Sequence, residues 1–190
     1  MEPKNYWKET ARCGALVGLL LAVSFLLETR MMLAGSFGVY VLEWIVAVGL
    51  HYYLLQRFTR SYSLGFDAEE GFSFGRGYGF VLSVSAVAGV VLGVVQYLYL
   101  NLFLGYANYT ERVAAVFTDM LARDGGVPAS MQAFVAQAIG MIETAPAPSF
   151  LGTIWSGVFS SLLFGLFFGL IVAGIVARAP RPFGEETNEE

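Results

Sequence analysis

Four stretches of the chain are continuously apolar over lengths that match the thickness of a bilayer. They lie at residues 12–32, 36–56, 77–105 and 150–177. A helix needs about 20 apolar residues to cross the ~30 Å hydrocarbon layer, whereas a membrane strand needs about ten residues of alternating character. Continuous runs therefore predict helices. The predicted fold is all-α, a four-helix transmembrane bundle in one membrane domain over residues 1–190.

A helical hairpin is predicted between the third and fourth spans, in residues 107–148. One apolar face there recurs at helical spacing: Val113, Val116, Phe117, Met120 and Leu121. Asn108 and Glu111 are spaced as a capping box at the start of a helix. We predict amphipathic helices near 109–123 and 128–143, outside the cytoplasm. The hairpin packs on the bundle or lies in the headgroup layer, with a lid over a cavity as the alternative.

Basic residues predict that both termini are cytoplasmic. Eight of the eleven lie on one side of the predicted spans and three on the other, and cytoplasmic loops carry the excess of Lys and Arg. The basic flank before the first span is also typical of a secretory signal. Glu28-Thr29-Arg30 follows that span instead of a small-residue cleavage site, so we predict a retained helix. Residues 183–190 are acidic and predicted to be disordered.

Composition agrees with a membrane protein and narrows its chemistry. Hydrophobic residues make up 56% of the chain and charged residues 14%, against about 25% charged in soluble domains. A net charge of −4 argues against nucleic acid as a partner. With one Cys and one His, neither a disulfide framework nor a metal site is predicted. No catalytic signature is present, so we expect neither an enzyme nor a cofactor.

Several polar side chains fall within or beside the predicted spans. A carboxylate near the middle of a span costs about 2.5–3.5 kcal/mol, so Glu43 needs a partner or a proton. The candidate polar cluster comprises Glu43, Glu28, Arg30, Gln96, Asn101 and His51. Its functional interpretation is a proton-titrating or ligand-binding site, and its structural interpretation is a Glu43–Arg30 pair or a protonated acid.

The orientation of the second span follows from the same argument. We expect Glu43 to face the bundle interior, with Ala47 and Leu50 also buried and with Ile45 and Val48 toward lipid. His51 lies two turns further along the helix. It is interpreted either as a residue at the interface near the cytoplasmic helix end or as the second member of a proton relay with Glu43.

Small residues recur every four positions in three of the spans. They are Gly14 and Gly18, then Gly89 and Gly93, then Gly157, Ser161, Gly165 and Gly169. Such stripes let helix backbones approach closely, so we interpret them as helix-packing positions. The stripe of the fourth span faces either the bundle interior or another subunit.

Three parts of the chain together resemble a known family. They are the basic start into a Gly-rich span (Trp7-Lys8 through Gly14 and Gly18), the segment Gly71–Gly79, and the stretch from Tyr109 to Pro148 before a last span rich in Ser and Gly. In this order they resemble a bacterial inner-membrane family catalogued as a domain of unknown function, family 4199. The resemblance implies four spans and a location in the bacterial inner (cytoplasmic) membrane. It implies no activity and no functional residues.

The sequence leaves two function classes open. The first is a non-catalytic accessory, assembly or scaffold protein, favoured by the packing stripes and the lack of catalytic motifs. The alternative is a small, dimeric proton-coupled transporter or channel that uses Glu43. The expected partners are the lipid bilayer and either a second copy of the chain or another membrane protein.

Overall fold

The computed structural model describes residues 5–67, 69–122 and 128–180. Within them the helices are α1 (Tyr6–Leu33), α2 (Phe37–Ser63), α3 (Phe74–Tyr97), a π-helical segment (Leu98–Phe103), α4 (Tyr106–Ala122), α5 (Ala129–Thr144) and α6 (Phe150–Val176). Four helices are long and apolar enough to cross a membrane: α1, α2, α3 with its π-helical extension, and α6. The prediction of an all-α transmembrane bundle is confirmed. The acidic tail at 183–190 and the end of the first hairpin helix at 123 lie outside the described residues.

The four long helices define two ends of the bundle. We call the end that holds Tyr6 and Val176 the base, and the opposite end, which carries α4 and α5, the hairpin end. At the base, the segment after α2 crosses the bundle and inserts the fully buried Phe72. Phe72 and Arg178 exchange two backbone hydrogen bonds of 2.9 Å. This bridge fastens the end of α6 to the start of α3.

α3 lies at the centre because glycines of α1, of α3 itself and of α6 let two neighbours approach it closely. On the α1 side, a Cβ added to Gly14 would lie 2.6 Å from Val87 Cβ, and one on Gly18 would lie 2.7 Å from Val91 Cβ. These distances are below any that real Cβ atoms adopt, so glycine permits the close approach.

The α3–α6 contact is closer still, because backbone meets backbone. A Cβ on Gly89 would lie 2.4 Å from Val158 Cα, and one on Gly157 would lie 2.6 Å from the Gly89 carbonyl oxygen. Gly93 faces Ile154 in the same way. The stripe of the fourth span therefore faces α3 of the same chain and not another subunit. Ser161, Gly165 and Gly169 continue this buried stripe along α6.

α2 is the least buried of the four spans and packs chiefly on α1. Across the bundle α2 also contacts α6, but less extensively than it contacts α1. α2 continues beyond the predicted end at 56 as far as Ser63. This extension places His51 near the middle of the helix.

The hairpin end departs from the sequence prediction in two places. The third span does not remain α-helical to 105, since it changes to a π-helix at Leu98. Asn108 is not a helix cap, because α4 begins at Tyr106 and Asn108 already lies inside the helix. Its side-chain amide donates to the carbonyl of Leu104, which precedes α4. Gly105, with φ +76°, makes the turn into α4. α4 packs on α1 and the π-helical segment, whereas α5 packs on α4 and has no buried residue.

Candidate intramembrane carboxyl site

A hydroxyl and a carboxyl group meet where α1 and α2 pack together. Ser24 Oγ donates a hydrogen bond of 2.6 Å to Glu43 Oε1. Ser24 is only 6% exposed, and the bond is as short as hydrogen bonds to ionised acceptors usually are. The short α1–α2 connection makes the two helices antiparallel neighbours and so brings Ser24 and Glu43 to the same depth.

Glu28 adds a second carboxyl group to this contact. It lies one helical turn after Ser24, and its Oε1 is 3.5 Å from Ser24 Oγ. Glu28 also interacts electrostatically with Glu43, so the two carboxyl groups lie near each other on either side of the Ser24 hydroxyl. A carboxyl–carboxyl hydrogen bond requires that one of the two acids holds a proton. The arrangement is therefore suited to binding one proton between two acids, as in other paired carboxyl sites.

The second oxygen of Glu43 has no donor within the described part of the chain. Glu43 Oε2 is buried and makes no hydrogen bond there. Buried polar atoms are almost always paired, so an orphaned one calls for an explanation such as an unseen proton, water or ion. A proton shared with Glu28, or a water molecule, would satisfy it.

A cavity of about 160 Å³ adjoins Glu28 and is lined by residues of α1, α2, α3 and α6, whereas Glu43 lies in the neighbouring groove between α1 and α2. Its polar lining consists of Ser24, Glu28, Gln96 and His51. A water molecule occupies about 30 Å³ in the liquid and needs two to four polar partners. The cavity therefore has both the volume and the polar groups to hold several water molecules.

His51 closes the end of the cavity that lies deepest in the bundle. Its side chain is 2% exposed, and Nε2 has no hydrogen-bond partner among the described residues. The rings of Phe164 and Phe168 lie 6.0 and 5.7 Å from the imidazole, centroid to centroid. The interfacial interpretation of His51 is therefore wrong, because the residue is buried near the middle of α2.

Tyrosines cover the carboxyl pair from the hairpin end. The Tyr40 phenol, at the start of α2, interacts electrostatically with both carboxyl groups. Tyr109 of α4 lies close to Tyr40 and Tyr106, and burial, followed by these two phenols, raises the pKa of Tyr109 above its usual value. Tyr109 thus stays neutral at physiological pH and retains its hydroxyl proton.

The structure brings together only part of the predicted polar cluster. Glu43 accepts a hydrogen bond from Ser24 and interacts electrostatically with Glu28, while Gln96 and His51 line the adjoining cavity. Arg30 is exposed and lines a different groove beside Tyr99 and Phe103. Asn101 donates to the Tyr97 carbonyl of its own helix. The guanidinium of Arg30 and the amide of Asn101, which were predicted as partners of Glu43, therefore lie away from it.

The predicted burial along α2 is correct at two positions and wrong at two. Ala47 is buried and Ile45 is exposed, as expected. Leu50, however, is 44% exposed, and Val48 lines the cavity. α2 is therefore rotated so that Glu43 faces α1 and His51 faces the cavity and α6. No cluster of three or more His, Cys, Asp or Glu that suits a metal ion occurs within residues 5–67, 69–122 and 128–180.

Sequence reasoning missed Ser24, Tyr40 and Tyr109. Ser24 precedes Glu28 by four residues and Tyr40 precedes Glu43 by three, spacings that place each pair on one helix face. That spacing was a usable signal. The position of Tyr109 depends on how α4 folds back over α1 and the π-helical segment, for which the local sequence carries no signal.

Comparison with protein families assigns most of the chain. The model of the family described as "Protein of unknown function (DUF4199)" matches residues 12–178. Neither the curated proteins nor the solved structures contain a match to the chain. The matched range includes α1 from residue 12 onward, the other three spans, both hairpin helices and every residue of the carboxyl site. The chain therefore belongs to this family of proteins of unknown function.

Proposed function

We propose that the protein is a small proton-coupled transporter in which the Glu28–Glu43 pair takes up and releases the proton. The observation that carries the proposal is the orphaned Glu43 oxygen beside a second carboxyl group, in a helix long enough to span the bilayer. Ionisable groups inside a membrane are costly and mark proton or ion pathways when they face a bundle interior.

The surrounding groups support a proton route from the hairpin end. Tyr40 interacts with both carboxyl groups, Tyr109 interacts with Tyr40, and the cavity continues from Glu28 to His51. Phenols, carboxylic acids, water and imidazole all exchange protons along hydrogen bonds. Beyond His51 the packed rings of Phe164 and Phe168 interrupt the route. A route open at one end and closed at the other is what a transporter needs, whereas a channel requires continuity.

We place this transporter in a bacterial inner membrane with the base toward the cytoplasm. Arg57, Arg60, Arg76 and Arg178 lie toward the base, and the positive-inside rule assigns such a side to the cytoplasm. The carboxyl pair would then face the side from which the proton gradient of a respiring bacterium drives protons inward.

The test is proton binding measured without knowledge of the transported solute. The purified protein is reconstituted in liposomes on a solid-supported membrane, and the pH is stepped on the outside. We expect a transient charge displacement that Glu43→Gln abolishes, because an amide cannot titrate. Glu111→Gln, which removes an exposed carboxylate from α4, is the matched control and should keep the signal. A displacement that is absent from the wild type, or equal in Glu43→Gln, contradicts the proposal.

A second candidate is the accessory or assembly role, in which the chain binds a copy of itself or another membrane protein. The observation that favours it is the width of the apolar face that α2 presents, on which Leu42, Ile45 and Val46 are each more than half exposed. Mild-detergent purification from the native membrane separates the candidates. Assembly would be favoured over transport if a stable stoichiometric partner is lost in Ile45→Ser and if Glu43→Gln gives the same charge displacement after a pH step as the wild type.

A further inference from the structure

A second polar cavity lies at the base, far from the carboxyl pair. It has a volume of about 400 Å³ and opens between the ends of α2 and α6. Two arginines, Arg60 and Arg178, line it together with Gln56 and Ser63. Its remaining wall is apolar and includes Ile175 and Val176, in the last turn of α6.

The two arginines face a cavity whose described lining contains no carboxylate. Arg178 donates from one guanidinium nitrogen to the Ser63 carbonyl, which holds the group beside the cavity and leaves its other N–H donors available. Arg60 is exposed and makes no ion pair within the described residues. The nearby acid Glu70 pairs with Arg76 at 3.8 Å instead. Within the described part of the chain, the two positive charges in this concave site therefore have no acidic partner.

The depth of the cavity matches the headgroup layer of a bilayer. Ser63 and Val176 are the last residues of their spans, so the arginines lie where the hydrocarbon ends. Directly below them, Ile175 is 58% exposed on the outer face of α6. An acyl chain can pack against that face while its phosphate remains level with the arginines. Guanidinium groups bind phosphate oxygens in a bidentate manner, and basic pockets between spans bind anionic headgroups.

We propose that the phosphate of an anionic phospholipid binds between Arg60 and Arg178, with its acyl chains along the α2–α6 groove. The site is independent of the carboxyl pair and of proton transport. A lipid held there adds to the Arg178–Ser63 hydrogen bond a further connection between the ends of α2 and α6, and so stabilises the least buried span.

Lipid binding to the full chain in a neutral detergent tests the proposal. Native mass spectrometry and thermal shift are recorded with phosphatidylglycerol and with phosphatidylcholine of identical acyl chains. We expect tighter binding and a higher melting temperature with the anionic lipid, and a loss of affinity of about tenfold in Arg60→Gln. Arg57→Gln is the matched control, since Arg57 is exposed on the same helix, donates to the Tyr53 hydroxyl and lies outside the cavity lining.

The outcomes separate the lipid from other anions. Arg60 carries the decisive substitution because Arg178→Gln also removes the contact to Ser63. Equal lipid affinity in Arg60→Gln and wild type overturns the site, and so does an equal loss in Arg57→Gln, which would indicate general surface charge. Inorganic phosphate at millimolar concentration should neither raise the melting temperature nor displace the lipid. If inorganic phosphate raises the melting temperature of the wild type and displaces its lipid, but has neither effect on Arg60→Gln, the site takes free phosphate and the lipid assignment is wrong.

Discussion

Ser24 and Glu43 join α1 to α2 through a hydrogen bond of 2.6 Å at a depth where both helices are apolar. Because Glu43 Oε2 has no donor among the described residues, the Ser24 hydroxyl is the main protein group that solvates this acid. The pair therefore fixes the rotation of α2 toward the hairpin end, since other buried residues of this helix, such as Leu55 and Tyr62, lie toward the base.

Ser24→Ala should lower the stability of the protein. Leaving a buried acceptor unpaired costs about 1–3 kcal/mol, so we expect the melting temperature in detergent to fall by several degrees. Scanning fluorimetry measures this change, and Trp44 next to Glu43 provides a local signal. Ser160→Ala is the control, because Ser160 is exposed on α6. If the two variants melt together, the Ser24–Glu43 bond does not hold α2 in place.

The Tyr109 phenol should make the hairpin end sensitive to alkali. Burial raises its pKa in the folded protein, while the unfolded chain keeps the usual value of about 10. The resulting contribution to stability is complete below pH ~10 and is lost as the pH rises through the folded pKa. Tyr109→Phe removes this term, so its melting temperature should fall less than that of wild type between neutral and strongly alkaline pH.

Melting curves of the wild type, Tyr109→Phe and Tyr53→Phe across that pH range provide the comparison. Tyr53 is half exposed on α2, so its removal should leave the alkaline fall unchanged. A Tyr109→Phe curve parallel to that of wild type would show that this phenol is not buried at the hairpin end.

The topology predicts opposite labelling of the two ends. Asp119 is exposed on α4 and Glu70 is exposed in the segment at the base. In a Cys13→Ala background, we expect Asp119→Cys to react with a membrane-impermeant maleimide on intact cells. Glu70→Cys should react only after permeabilisation. Reversed labelling would place the base outside and would refute the positive-inside argument.

Features that depend on local periodicity could be predicted from the sequence. Span lengths follow from continuous apolar runs, and spacings of four residues identified glycines that lie between helices, such as Gly18 and Gly89. These patterns require no knowledge of which helices are neighbours. The π-helical turn at Leu98 has no such local signature, which explains why the third span was predicted as one continuous helix.

The partners of Glu43 could not be predicted, because they depend on how each helix is rotated. Gly14 and Gly18 turn one face of α1 toward α3, and this packing leaves the Ser24 face for α2. Arg30 follows Glu28 by two residues, roughly 200° around a helix. The two side chains therefore point to opposite sides, and the sequence alone could have excluded Arg30 from a cluster with Glu28.

Gly89→Ala should disrupt the bundle more than any other single added methyl group on α3. The new Cβ would lie 2.4 Å from Val158 Cα and 2.7 Å from the Gly157 carbonyl oxygen. Both obstacles are backbone atoms, so no side-chain rotation relieves the clash and α6 must move as a whole.

Gly79→Ala is the matched control on the same helix, because no atom lies within 4 Å of its added Cβ. Alanine also stabilises a helix by up to about 1 kcal/mol relative to glycine, so the control should melt at or above the wild-type temperature. We expect Gly89→Ala to melt well below both proteins and to elute as a broader species on size exclusion in detergent. If Gly89→Ala and Gly79→Ala were equally stable, α3 and α6 would not pack through their glycines, and the central position of α3 would have to be abandoned.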